Sequence, residues 1–156
     1  MTLSIIAAIS INNTIGFKNT IVWNIKQDRI FFKNITKNGV VVMGRLTYES
    51  LLTKPLINRV NIILSRNKHF LAKNCLIFTN IKDMLDFIKK YDKIFIIGGS
   101  QIYYQTIDIV DKLYITFIKK NYIGDTFFPK IKEKKWKLVS EYIFNSEYSF
   151  REYIKK

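Results

Sequence analysis

The segment Trp23-Asn24-Ile25-Lys26-Gln27-Asp28-Arg29-Ile30-Phe31-Phe32-Lys33 sets one carboxylic acid into a stretch otherwise patterned for burial. If the chain is helical from about Lys26, then Ile25, Asp28, Phe32 and Ile35 fall on one face. A carboxylate aimed at an apolar face must find a partner or shift its pKa. That is how a protein keeps an acid ready for proton transfer. The plainer alternative is a first-turn acid, favoured there by the helix dipole.

Two further stretches have types and spacing suited to an anion. Gly44-Arg45-Leu46-Thr47 follows an apolar run and opens a helix, so free backbone N–H groups, a guanidinium and a hydroxyl meet at one turn. Gly98-Gly99-Ser100-Gln101 repeats the arrangement, with glycines that allow a close backbone approach to a diphosphate. Either alone also reads as an ordinary strand-to-helix turn, and neither is a G-x-G-x-x-G fingerprint. The two together, with Ser65-Arg66 after a third strand, favour a dinucleotide. Arg45, Ser65 and Arg66 supply donors for an extra ribose phosphate, which favours NADP over NAD.

The elements that must position these residues alternate. Strands are expected at Ser4–Ile9, Val40–Met43, Val60–Leu64, Leu76–Phe78, Ile94–Ile97 and Leu113–Ile118. Helices are expected at about Lys26–Lys37, Leu46–Leu51, Ile81–Lys90 and Ser100–Ile107, and a long connection runs through Gly16 and Asn19 to Asn24. Lys137–Phe144 and Tyr148–Ile154 form a closing hairpin around Asn145-Ser146-Glu147. The pattern predicts a single α/β domain over residues 1–156: a mixed, mostly parallel twisted sheet with flanking helices and a C-terminal antiparallel hairpin. In such sheets ligands bind beyond the carboxyl ends of the strands, where Gly44 and Gly98-Gly99 lie.

Composition narrows the function classes. The chain has 156 residues, 48% hydrophobic and 24% charged, the balance of a globular domain with a real core. No apolar run is long enough to span a membrane, and the N-terminus lacks the basic start of a signal peptide. One cysteine, Cys75, points to a reducing, cytoplasmic setting, and one loop histidine, His69, argues against a histidine metal site. The net charge of +14 is spread along the chain together with abundant Ile and Asn, as an AT-rich genome would encode. It would attract anionic small molecules without marking a specific nucleic-acid surface. No heptad pattern argues for assembly, so a monomer is expected.

Taken in order, several segments resemble dihydrofolate reductases of the bacterial chromosomal type over nearly the full length. They are Ile6-Ala7-Ala8, Ile15-Gly16 with Asn19, Trp23-Asn24 with Asp28 and Phe32-Lys33, and Met43-Gly44-Arg45 with Thr47 and Glu49-Ser50. Next come Arg59 with Asn61–Arg66, Ile97-Gly98-Gly99 with Tyr103, and Gly124-Asp125-Thr126 with Phe128-Pro129. The resemblance implies NADPH-dependent reduction of dihydrofolate, with antifolates as possible ligands of the same pocket. It implies that Asp28 holds the pterin and assists protonation, and that Thr116 supports Asp28. By the same pattern Phe32, Leu51 and Leu56 would pack on the pterin and benzoyl rings. Ile6 and Ile97 would offer carbonyls, and Arg59 would grip the glutamate carboxylate. On the cofactor side it implies Ala8, Ile15, Gly16 and Asn19 at the nicotinamide half and Gly98, Gly99, Ser100 and Gln101 at the diphosphate. Ile102, Tyr103 and Thr126 would lie nearby. Ile11–Asn24 corresponds to a mobile lid, and Gly124-Asp125 to a loop that holds it.

The chain also departs from that pattern. Val22 and Lys26 stand at usual proline positions, which should loosen the lid and helix start. Ser100 replaces a third glycine, and Leu46 lacks a polar side chain near the phosphates. Arg29 occupies a normally apolar wall position. It either reaches the folate tail or lies solvated, and close to Asp28 it would lower that acid's pKa. Other readings are a related reductase of a riboflavin precursor, a basic nucleic-acid binder, or a relic that binds without turnover. Salt-sensitive retention of nucleic acid would mark the second, and kinetics alone would exclude the third.

Overall fold

The computed structural model describes residues 1–156. In chain order the elements are β1 (Thr2–Ser10), β2 (Thr14–Gly16), α1 (Lys26–Thr36), β3 (Val40–Gly44), α2 (Arg45–Ser50), β4 (Val60–Leu64) and β5 (Cys75–Phe78). They continue with α3 (Ile81–Ile88), β6 (Lys93–Gly98), α4 (Ser100–Thr106), β7 (Lys112–Ile118), β8 (Thr126–Phe127), β9 (Trp136–Ile143) and β10 (Tyr148–Lys155). Eight strands form one sheet in the order β5-β4-β3-β6-β1-β7-β10-β9. Neighbours from β5 to β7 pair in parallel, and β10 pairs antiparallel with both β7 and β9. This is the mixed, mostly parallel sheet with a terminal hairpin that the alternation of runs predicts.

Each apolar run is explained by its place in the sheet. Val40–Met43 and Ile94–Ile96 are almost wholly buried because helices cover both faces of the centre. On one face Leu3, Ile5, Val40, Val42, Ile62 and Ile94 pack with Met84 and Ile88 of α3 and Ile107 after α4. On the other, Ile6, Val41, Met43, Ile63 and Phe95 meet Phe31, Phe32 and Ile35 of α1, Tyr48 of α2, and Leu51. The alternation of β1 therefore assigns Ile5 to one layer and Ile6 to the other. At the far edge β9 buries only Trp136.

Expected boundaries differ from the observed ones by a residue or two. α1 stops at Thr36 because Lys37 leaves helical ψ and Asn38 takes a left-handed φ of 61°. The ribbon of β2 with β8 was not expected. Each partner is two or three residues long and too short to show alternation.

Candidate active site

The carboxyl ends of β1, β3, β6 and β7 bring the expected chemistry to one edge of the sheet. Asp28 sits in the first turn of α1, and Thr116 on β7 donates its hydroxyl to Asp28 Oδ1 at 2.6 Å. Thr116 is 1% exposed, so this bond is shielded from bulk water. Burial raises the Asp28 pKa above its ordinary value, opposed by the Thr116 hydrogen bond and by the charge of Arg29. Desolvation prevails, and the acid keeps Oδ1 anchored while Oδ2 makes no protein hydrogen bond. Asp28 thus sits in the first turn of α1, as the plainer reading has it, and also turns its carboxyl inward to Thr116.

Around it, Phe32, Leu51, Leu56 and Ile97 are partly buried and pack on the cluster that contains Ile6. The Ile6 carbonyl accepts from the Tyr103 hydroxyl at 3.0 Å. Tyr103 is buried, its ring packs on Phe128 at 4.9 Å, and desolvation with Asp28 nearby pushes its pKa far up. It is thus a fixed donor that links α4 to β1. Arg59 donates to the Thr36 hydroxyl and to the Ile57 carbonyl, each at 3.0 Å, and lies 5.8 Å over the Phe32 ring. These contacts pin one side of its fork at the end of α1.

Arg29 is exposed, and its guanidinium donates to the Asn24 side-chain carbonyl. In this arrangement it ties Asn24 to α1 while its charge acts to lower the pKa of its neighbour Asp28.

The cofactor-side residues lie at the adjacent turns. Gly98 has φ +124°, and the Gly98–Gly99 peptide is cis. A Cβ added at Gly98 would meet the Tyr103 hydroxyl at 3.2 Å, and one at Gly99 would meet Thr47 Oγ1 at 3.3 Å. These glycines thus form a backbone cradle bordered by Thr47, and Gly44 faces Ile102 at a corresponding 3.4 Å. Ser100 donates to the Phe127 carbonyl at 2.8 Å, and Gln101 is exposed. The helices that follow, α2 and α4, are six and seven residues long, so free N–H groups matter more than a macrodipole. Ser65 is buried, and its oxygen accepts from the Asn67 amide, which leaves the O–H free. Arg66 is exposed without an ion pair, whereas Arg45 is paired with Glu49 at 2.9 Å. That surface pair is worth at most about 1 kcal/mol, a small obstacle to recruiting Arg45.

The segment between β1 and α1 is fastened to residues 122–126 by contacts that residue types alone do not reveal. Asp125 donates its amide to the Gly16 carbonyl at 3.1 Å and accepts from the Lys18 amide at 3.0 Å. Thr126 pairs with Gly16 across the ribbon, and Ala8 and Ile15 lie partly buried beside it. Asn19 takes φ 61°, a conformation asparagine tolerates. Asn12 and Thr14 both donate to the Tyr122 carbonyl, at 2.8 and 3.0 Å, and the Tyr122 ring meets Trp23 edge-on at 5.3 Å. The buried Trp23 indole N–H takes no protein acceptor.

Asn61 is the residue whose role the sequence left unread. It is 2% exposed and makes three hydrogen bonds of 2.9–3.0 Å to the backbone of Leu56 and Arg59, so it shapes the loop that carries both. A lone amide in the apolar run Val60–Leu64 was the available signal. Asn61→Leu is expected to lower the unfolding free energy in urea by about 2–4 kcal/mol, from stranded backbone groups. It should also raise KM for any ligand that Arg59 holds.

No helix is long and apolar enough to cross a membrane. A family model described as dihydrofolate reductase matches residues 2–154. The dihydrofolate reductase of Bacillus subtilis (strain 168) is 37% identical over 138 residues, covering 88% of this chain and 82% of that protein. That of Buchnera aphidicola subsp. Schizaphis graminum (strain Sg) is 43% identical over 141 residues, covering 89% and 86%. A solved structure of dihydrofolate reductase from Enterococcus faecalis, complexed with NADP(H) and RAB-propyl, superposes with a TM-score of 0.90 at 30% identity. It covers 99% of this chain and 96% of that one.

Proposed function

Because the chain belongs to the dihydrofolate reductase family, and so reduces dihydrofolate to tetrahydrofolate with NADPH, we propose that Asp28 is its proton-handling acid. The observation that carries this reading is a single inward carboxyl anchored at Oδ1 by Thr116 with Oδ2 unspent. Oδ2 and the shared Oδ1 accept hydrogen bonds from the pterin amino group and ring N–H. A water held by the same carboxyl passes a proton to the ring nitrogen beside the carbon that is reduced. A raised pKa suits this task, since a carboxyl nearer neutrality exchanges protons more readily at working pH.

Substrate placement follows from the walls. Ile6 and Ile97 carbonyls receive the pterin amino group, and Phe32, Leu51 and Leu56 enclose the ring system. Arg59, already pinned by Thr36, offers its remaining N–H groups to the glutamate carboxylate. Arg29 lies one residue from Asp28 on α1 and supplies a second cation for that tail when it leaves Asn24.

The cradle at Gly98-Gly99, which any Cβ would fill, fits a diphosphate backbone-on. NADPH, when bound, supplies the hydride. Gly98, Gly99, Ser100 and Gln101 with Gly44 and Thr47 would hold its diphosphate, and Ser65, Arg66 and Arg45 its ribose phosphate. Ala8, Ile15, Gly16 and Asn19 would hold the nicotinamide half, with Ile102, Tyr103 and Thr126 supporting those walls. Lid closure then excludes water around Asp28, and a polar partner for the Trp23 N–H spares a cost of about 1–3 kcal/mol. We further infer a cytoplasmic monomer whose pterin pocket accepts antifolates.

The test is NADPH oxidation on adding dihydrofolate, followed by absorbance across pH in wild type and Thr116→Val. Losing the Thr116 hydrogen bond removes an influence that lowers the Asp28 pKa. The pH at which the rate falls by half should therefore move upward in the variant. An unmoved profile would remove Asp28 from the proton step.

A further inference from the structure

A second cleft lies at the opposite end of the sheet from Asp28. Its volume is about 320 Å³, and its lining includes Thr2, Ser4, Asn34, Lys93, Lys112 and Tyr114. The sheet register explains this grouping. Thr2 pairs with Lys93 on one side of β1 and Ser4 with Lys112 on the other, so all four project to the α1 face at the amino ends of the strands. Asn34 belongs to the C-terminal half of α1, six residues beyond Asp28.

Three features set this cleft apart from a solvated lysine surface. Ser4 is 2% exposed, lines the cleft, and its hydroxyl takes no protein partner. Lys93 forms no ion pair, although it flanks the same strand as Lys112. The only carboxylate paired with either lysine is Glu152, 3.0 Å from Lys112, while Asp111 is bonded to the Leu3 amide at 2.9 Å. The cleft therefore carries net positive charge together with hydroxyl and amide donors. A tetrahedral dianion brings two charges and up to four oxygens to this donor set, where a monocarboxylate brings one charge and two oxygens, so the pair of lysines favours the dianion.

We propose that this cleft binds a phosphate group, as inorganic phosphate or a phosphate monoester, between Lys93 and Lys112 with the Ser4 hydroxyl as a donor. The site is separate from the reductase centre and depends on none of its residues. Lys112 shares its charge between Glu152 and the anion, and Lys93 supplies the uncommitted cation.

The test records ¹⁵N–¹H spectra of the whole enzyme saturated with NADP⁺, so that the cofactor's own phosphate donors are occupied. Inorganic phosphate and glycerol 3-phosphate are titrated separately at constant ionic strength. Saturable shifts of the Thr2, Ser4, Asn34 and Tyr114 amides are expected. Lys93→Gln should weaken binding about tenfold, as for loss of one charged hydrogen bond, and Glu152→Gln should tighten it. Tighter binding of inorganic phosphate would identify the free anion as ligand, and tighter binding of the ester a phosphorylated metabolite. Lys93 is exposed, so its variant should keep both its fold and its turnover. Shifts that fail to saturate, or that are the same in wild type and Lys93→Gln, would overturn the proposal.

Discussion

Asp28→Asn should lower kcat/KM for dihydrofolate about 10²–10⁴-fold at pH 7, the range for loss of a positioned acid–base group. Asparagine keeps the size of the side chain and can still accept from Thr116, so the pocket should keep its shape. What disappears is the titratable carboxyl and its charge. The variant's residual rate should rise as pH falls, because solvent must then supply the proton without help, and a pre-protonated pterin should restore much of the loss. Stability should change in the other direction. The folded-state pKa of Asp28 is raised, so the unfolded chain ionises first as pH climbs. The folded state loses stability from the ordinary carboxylate range up to the raised pKa, and the loss persists above it. Below that range both states are protonated and the difference vanishes. Asp28→Asn should therefore unfold at higher denaturant than wild type near neutrality, with the gap closing in acid. An inactive but stabilised variant distinguishes a functional acid from a structural one.

Gly124→Val should slow hydride transfer about 10²-fold by displacing the lid, with the overall fold retained. A Cβ at this position would lie 2.2 Å from Thr14 Cγ2 and 2.7 Å from the Gly16 carbonyl. Neither neighbour can yield easily, since Thr14 donates to Tyr122 and Gly16 accepts from Asp125. The ribbon of β2 and β8 must open, releasing the Lys18–Asp125 contact. Single-turnover measurements should show the slowed step, while unfolding in urea stays close to wild type. Equal slowing of product release and hydride transfer would indicate a general loosening instead. Neither Val22 nor Lys26 fixes its backbone φ as a proline would.

The parts of this molecule readable from sequence are those with strong local physics. Val40–Met43 and Ile94–Ile97 could only be strands covered on both faces, and glycines after them marked the ligand edge. Asp28 was legible because an acid among Ile25, Phe32 and Ile35 contradicts its surroundings. The Asp28–Thr116 contact joins residues 88 apart, and only the family resemblance indicated it. Asn61 went unread because its meaning depends on loop backbone several residues earlier, where no side-chain pattern exists. The Tyr122 contact with Trp23 joins residues 99 apart, and the tether between Arg29 and Asn24 depends on the path of the loop before α1, so neither shows in a local pattern. Arg45 read as a free phosphate ligand, but Glu49, one helical turn away, already engages it. The cleft at Lys93 and Lys112 has no local signature for a related reason. Register brings those lysines to opposite flanks of β1, whereas along the chain they read as scattered charge.

The most direct measurement titrates the Asp28 side-chain carboxyl by ¹³C NMR and follows the single-turnover rate of hydride transfer in the same protein across the same pH range. The Asp28 midpoint should lie above the ordinary carboxylate value of about 3.9, and the rate should fall as that group ionises. A carboxyl that titrates below that value, or a rate indifferent to its titration, would contradict Asp28 as the proton-handling acid.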